Sequence, residues 1–99
     1  QNRLGPLLDD MLEKVSPIFI RELPSRLRKI QLACENNDKA EMVNVLHALK
    51  GSSLSVGAVL LADVCARLQA STERGTLPSQ NEISDLTALA NTSAEQLLA

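Results

Sequence analysis

One histidine occurs in the 99-residue chain, His47, within Leu46-His47-Ala48-Leu49-Lys50-Gly51-Ser52-Ser53-Leu54-Ser55-Val56-Gly57-Ala58. Lys50 and Gly51 follow it three and four residues later, a spacing that stacks all three on one face of a helix. On a wet face a neutral imidazole is a nucleophile, and its attack on a phosphoryl group yields a phosphoramidate. Lys50 adds a flexible ammonium able to reach an anion carried on the ring. Glycine in a helix interior costs roughly 1 kcal/mol relative to alanine. At position 51 it leaves room, one turn from the imidazole, for a group on the ring or for a partner's surface. Together these residue types describe a phosphoryl-accepting imidazole, beside the plainer reading of a solvated surface histidine and lysine.

The elements that must position this stretch follow from apolar spacing. Leu4, Leu7, Leu8, Met11, Leu12 and Val15 recur at helical intervals and predict a short opening helix to about Lys14. Ser16-Pro17 reads as an N-cap and first-turn proline of a second helix, whose stripe of Phe19/Ile20, Leu23, Leu27, Ile30 and Cys34 runs to about Glu35. Pro24 interrupts it and predicts a kink near Arg21, with a break as the alternative. Asp38 and Glu41 form a capping arrangement for a helix that sends Met42, Val45, Leu46, Leu49 and Ser53 to the core and ends at Gly57 in a left-handed cap. A helix continuing through Gly57 is the weaker alternative. Leu61, Val64, Cys65, Leu68 and Thr72 mark the next helix, and Gly75-Thr76-Leu77-Pro78 stops it. Ser79 and Glu82 make a capping box for the last, with Ile83, Leu86, Leu89/Ala90, Ala94 and Leu97 inward. Short connections between long amphipathic segments predict an all-α fold: one domain over residues 1–99, an antiparallel up-and-down four-helix bundle with a short additional N-terminal helix.

Composition narrows the function classes. Hydrophobic residues make up 44% of the chain but only Phe19 is aromatic, so the core must be aliphatic, which favours helices. A net charge of −2, with both signs interspersed, lacks the basic footprint of a nucleic-acid binder. Cys34 and Cys65 form no C-x-x-C pair and fall at apolar positions, which reads as two reduced core thiols, with a disulfide as the lesser alternative. One histidine and no cysteine cluster cannot assemble a zinc site of the usual ligands. No run is apolar enough to insert in a bilayer and no secretory leader is visible; the chain begins without Met, compatible with a piece of a longer protein.

At about 100° per residue, His47 points roughly 150° from the centre of its helix's apolar sector, which predicts exposure. Its surface neighbours are Val43, Lys50, Gly51 and Leu54. If the chain reverses near Gly57, Gln69 on the next helix lies within about 3 Å of the height of His47. Its amide then has the reach to hydrogen-bond the free imidazole nitrogen or a phosphoryl group on the ring.

The string from His47 to Ala58 resembles the H-x-L-K-G-S-[SA]-x-x-x-G-A signature of histidine-containing phosphotransfer (HPt) domains, the modules of bacterial multistep phosphorelays. Phe19-Ile20-Arg21-Glu22-Leu23-Pro24 is similar to the family's preceding helix, and Leu61-Ala62-Asp63-Val64-Cys65-Ala66-Arg67-Leu68-Gln69 to the following one. The likeness runs in register over about residues 12 to 75, with the terminal helices alike only in pattern. It implies a helical bundle in which His47 carries the phosphoryl group, Lys50 and Gly51 are its motif companions, and Gln69 stands where the family has Glu or Gln. Gln suits contact with a phosphoryl group better than Glu, which would repel it. It further implies a phosphohistidine carrier without kinase activity of its own, exchanging phosphoryl groups with aspartates of receiver domains in response regulators or a hybrid sensor kinase. The domain itself binds no cofactor, Mg²⁺ comes with the receiver, and Val43, Leu54 and Ala58 form the docking patch. A cytoplasmic monomer is expected, either the C-terminal part of a membrane sensor kinase or a free-standing shuttle. The alternative from another class is a non-catalytic interaction bundle whose patch around His47 binds a partner without phosphorylation.

Overall fold

The computed structural model describes residues 6–98, with side chains from Ser16 onward. Four helices follow one another: α1 over Pro6–Glu35, α2 over Lys39–Ser55, α3 over Val59–Glu73 and α4 over Gln80–Leu98. Each packs on the next and α4 returns to α1, whereas among the described residues the backbones of the diagonal pairs, α1 with α3 and α2 with α4, do not approach closely. The result is a closed ring of helices around one core, the all-α four-helix bundle expected from the short connections.

The opening of the chain departs from expectation. Among the described residues no separate N-terminal helix exists, because α1 is a single 30-residue helix with Pro17 and Pro24 both in its interior. Ser16 therefore caps nothing, and the expected interruption at Pro24 is not a break. An interior proline removes one N–H and clashes with the preceding turn, a cost of about 3 kcal/mol. Here the apolar stripe keeps phase across Pro24, and burial of Phe19, Leu23 and Ile30 offsets that cost. The stripe expected from Leu4 to Val15 lies outside the residues whose side chains are described.

The helix ends follow local chemistry closely. Asn37, Gly57 and Gly75 have φ of 54°, 78° and 104° and sit one residue past the caps of α1, α2 and α3. In each case two backbone N–H groups turn back onto the helix. Asn37 and Asp38 donate to Cys34 and Ala33, Gly57 and Ala58 to Leu54 and Ser53, and Gly75 and Thr76 to Thr72 and Ser71. All three are Schellman stops, which need a residue tolerant of left-handed backbone. At the other ends, the Asp38 carboxylate accepts from the Glu41 N–H at 3.0 Å. Ser79 and Glu82 complete a reciprocal capping box, with Ser79 N–H donating to Glu82 Oε1 at 2.8 Å and Glu82 N–H to Ser79 Oγ at 3.1 Å.

The core is aliphatic apart from Phe19, and α2 contributes Met42, Val45, Leu46 and Leu49 to it. Ser53, wholly buried, donates its hydroxyl to the Leu49 carbonyl at 2.6 Å and so leaves no orphan. Both cysteines are free thiols, Cys34 half-buried and Cys65 buried. Burial pushes the Cys65 thiol up from 9.0 to about 12. The unfolded thiol therefore ionises first: this contribution to stability is complete below pH 9 and declines as pH rises towards 12. At pH 8, iodoacetamide is expected to modify Cys65 only in denaturant, as read by mass spectrometry. Among the described residues, no helix is long and apolar enough to cross a membrane.

Candidate functional site

α2 divides into two faces. Met42, Val45, Leu46, Leu49 and Ser53 turn inward, while His47, Gly51 and Leu54 are exposed and Val43 and Lys50 half-buried. The 3.6-residue period thus places His47 on the wet side, with the buried leucines on either side of it fixing the helix's rotation. Lys50 and Gly51 lie one turn along on the same face. A Cβ built on Gly51 would meet nothing within 4 Å, so no internal packing requires a glycine there. The ion pairs found among the described residues, Glu22 with Arg26 and Asp63 with Arg67, leave His47 and Lys50 uninvolved. Leu54 is 54% exposed, a large apolar side chain two turns from the imidazole. Ala58, the third residue of the expected patch, is half-buried at the N-cap of α3, with part of its surface against the core.

The chain reverses at Gly57 and α3 packs along α2, the arrangement in which Gln69 is expected to stand near the height of His47. No hydrogen bond joins the two. Instead, Gln69 Oε1 is buried and is the side-chain polar atom found without a partner among the described residues. A buried amide oxygen without a donor is unfavourable by about 1–3 kcal/mol. That leaves the Gln69 amide oxygen of α3 open to a hydrogen-bond donor.

Comparison with known proteins decides what kind of module this is. The sequence profile described as the Hpt domain matches residues 7–98. The chain belongs to the Hpt domain family. As an Hpt domain it is a phosphorelay signal-transduction module, in keeping with the resemblance carried by residues 47–58. Among solved structures, it is similar to the HPT domain from the Hpt sensor hybrid histidine kinase of Shewanella, at 24% identity and a TM-score of 0.73, over 86% of this chain and 74% of that one. At that identity the likeness is one of fold. A comparison with curated proteins returns no match.

The structure of this Hpt domain also brings to the motif residues that spacing along the sequence did not single out. Arg26 of α1 donates from Nη1 to Ser52 Oγ at 2.8 Å and pairs through Nη2 with Glu22 at 3.1 Å. This cross-link ties α1 to the residue following Gly51. Ile18, 45% exposed, lines a small concavity with Phe19, Ser52 and Ser55, so an exposed apolar side chain of α1 stands beside the C-terminal turns of α2. Local periodicity carried no signal for either contact, because the partners are 26 or more residues apart.

Chemically the site is spare. On α2 it holds one exposed imidazole, one cation and open space beside Gly51. Among the described residues no group of three or more His, Cys, Asp or Glu side chains is placed to hold a metal ion.

Proposed function

We propose that His47 is the phosphoacceptor of this Hpt domain and passes the group between receiver aspartates. The observation that carries the reading is the exposed imidazole on α2 with Lys50 and an unobstructed Gly51 on the same face. In the step proposed, a ring nitrogen of His47 bonds to phosphorus as the bond from phosphorus to the receiver's aspartyl oxygen breaks, and the aspartate leaves as carboxylate. Lys50 offsets the charge of the phosphoramidate, and Gln69 either accepts from the ring N–H or turns its NH₂ towards the phosphoryl oxygens. The reverse step returns the group to a second receiver.

No carboxylate lies within a turn of His47 along α2, so its surroundings lack the anionic oxygen ligands that hold Mg²⁺, and in the step proposed the receiver brings the ion. The docking patch proposed is Val43 and Leu54 with Ala58 at its edge, extended by Ile18. The core closes within one ring of helices, which supports action as a monomer. That a fold neighbour is the HPT domain of a sensor hybrid histidine kinase supports a place in such a kinase, acting on the cytoplasmic side, with a free-standing shuttle equally served by these residues.

Incubation with a phosphorylated receiver and Mg²⁺ tests the reading. Base-stable, acid-labile phosphate on the domain is the expected result, and receiver binding without such labelling would favour a non-catalytic interaction bundle. A second expectation concerns Gly51. Gly51→Ala should stabilise the helix by about 0.5–1 kcal/mol, because its methyl meets open space. If that space is where the receiver approaches, kcat/KM for transfer should fall by about tenfold, equivalent to 1.4 kcal/mol. Thermal denaturation and transfer kinetics should move in opposite senses.

A further inference from the structure

Charge is distributed unevenly around the ring. Between Ser16 and Glu35, α1 carries Arg21, Arg26, Arg28 and Lys29 against Glu22 and Glu35, whereas α4 carries Glu82, Asp85 and Glu95 and no cation. The whole chain has a net charge of −2, and α1 as a whole is balanced because its opening turns add Asp9, Asp10 and Glu13 against Lys14, so the excess of cations belongs to residues 16–35 alone. α1 packs beside α2, whereas α4 packs against α1 and α3. The helix that presents His47 thus has the cationic segment 16–35 in its neighbour and the acidic α4 across the bundle.

Arg26 is already engaged by Glu22 and Ser52. Arg21, Arg28 and Lys29 are exposed and take no part in the ion pairs found among the described residues. Arg21 and Arg28 stand two turns apart and, with Pro24 and Ser25, line an open concavity of ≈ 330 Å³ that contains no carboxylate. Such a surface attracts an anionic partner and steers its approach, an effect that raises association rates by roughly 10- to 1,000-fold and weakens with ionic strength.

We propose that the receiver docks by a carboxylate-rich surface seated on the cationic face formed by Arg21, Arg28 and Lys29 of α1. The proposal rests on the reading of this domain as a receiver partner, and it names the chemistry by which the partner is selected. Screening charges beyond about 8–10 Å at moderate salt confines the effect to this flank.

The test uses the whole domain, a panel of receiver domains and the triple variant Arg21→Glu/Arg28→Glu/Lys29→Glu, with circular dichroism confirming the helical fold. The neutral variant Arg21→Gln/Arg28→Gln/Lys29→Gln serves as a second probe. For the tightest-binding receiver, affinity for the wild-type domain should fall at least tenfold between 20 and 300 mM NaCl, taking the steering range above as guide. The reversed variant should bind at least tenfold more weakly at low salt, the neutral variant between the two, and both with a shallower salt dependence. Glu82→Lys/Asp85→Lys/Glu95→Lys on α4 should bind within about twofold of wild type. Equal binding by the α1-reversed variant, an equal loss on altering α4, or binding by no receiver would each overturn the proposal. Salt-dependent binding that disappears on α1 reversal, with no phosphate appearing on the domain, would sustain this inference while removing the phosphoacceptor reading.

Discussion

Replacing His47 with glutamine should leave a domain that folds as before and takes up no acid-labile phosphate from a phosphorylated receiver. The side chain is exposed and enters no ion pair found among the described residues, so its loss removes no packing that holds the bundle. Surface substitutions of this kind usually change stability by no more than about 0.5 kcal/mol. For a bundle of this size that is a shift in Tm of a few degrees. Glutamine keeps a polar side chain of comparable reach, but its amide nitrogen is not a nucleophile, so the phosphoramidate cannot form. Labelling that persisted in His47→Gln would place the acceptor elsewhere and remove the basis of the proposed function.

The residue immediately before it should behave in the opposite way. Leu46 is wholly buried, and Leu46→Ala opens a cavity beneath α2. Large-to-small changes of this type cost about 2–5 kcal/mol. At roughly 4–8 °C per kcal/mol for a domain of this length, the midpoint should fall by about 10–30 °C. Well below that midpoint, the folded molecules that remain should still accept phosphate, because nothing that touches the imidazole has been removed. A Tm within a few degrees of wild type would mean that α2 does not pack as described. Two adjacent residues thus separate the reaction from the scaffold, and calorimetry paired with labelling distinguishes them.

Much of this was legible in the sequence where the deciding interactions are local. The exposure of His47, the inward set from Met42 to Ser53, the left-handed stop at Gly57 and the Ser79–Glu82 box each depend on residues within a turn or two. α1 was not legible in the same way. Ser16-Pro17 carries a valid local signal for a helix start, yet α1 runs through it from Pro6 to Glu35. Arg26 and Ser52 meet only because α1 and α2 pack side by side, and spacing cannot anticipate that contact. For Gln69 the helical rise gives only an expected height, while the burial of its unpartnered oxygen depends on tertiary packing that spacing does not carry. The cation excess of residues 16–35 and the acidity of α4 can be read from the sequence, but their placement around α2 needed the ring order.

The three Schellman stops bear on the thermodynamics of encounter. A helix closed by paired backbone bonds at its end loses little further freedom when a partner settles on it, because its termini have already been ordered by folding. Association then chiefly restricts the long surface side chains and the relative motion of the two proteins. A preorganised surface of this kind suits a carrier that must engage one partner, release it and engage another, since each exchange begins from the same arrangement of the nucleophile and reorders no backbone.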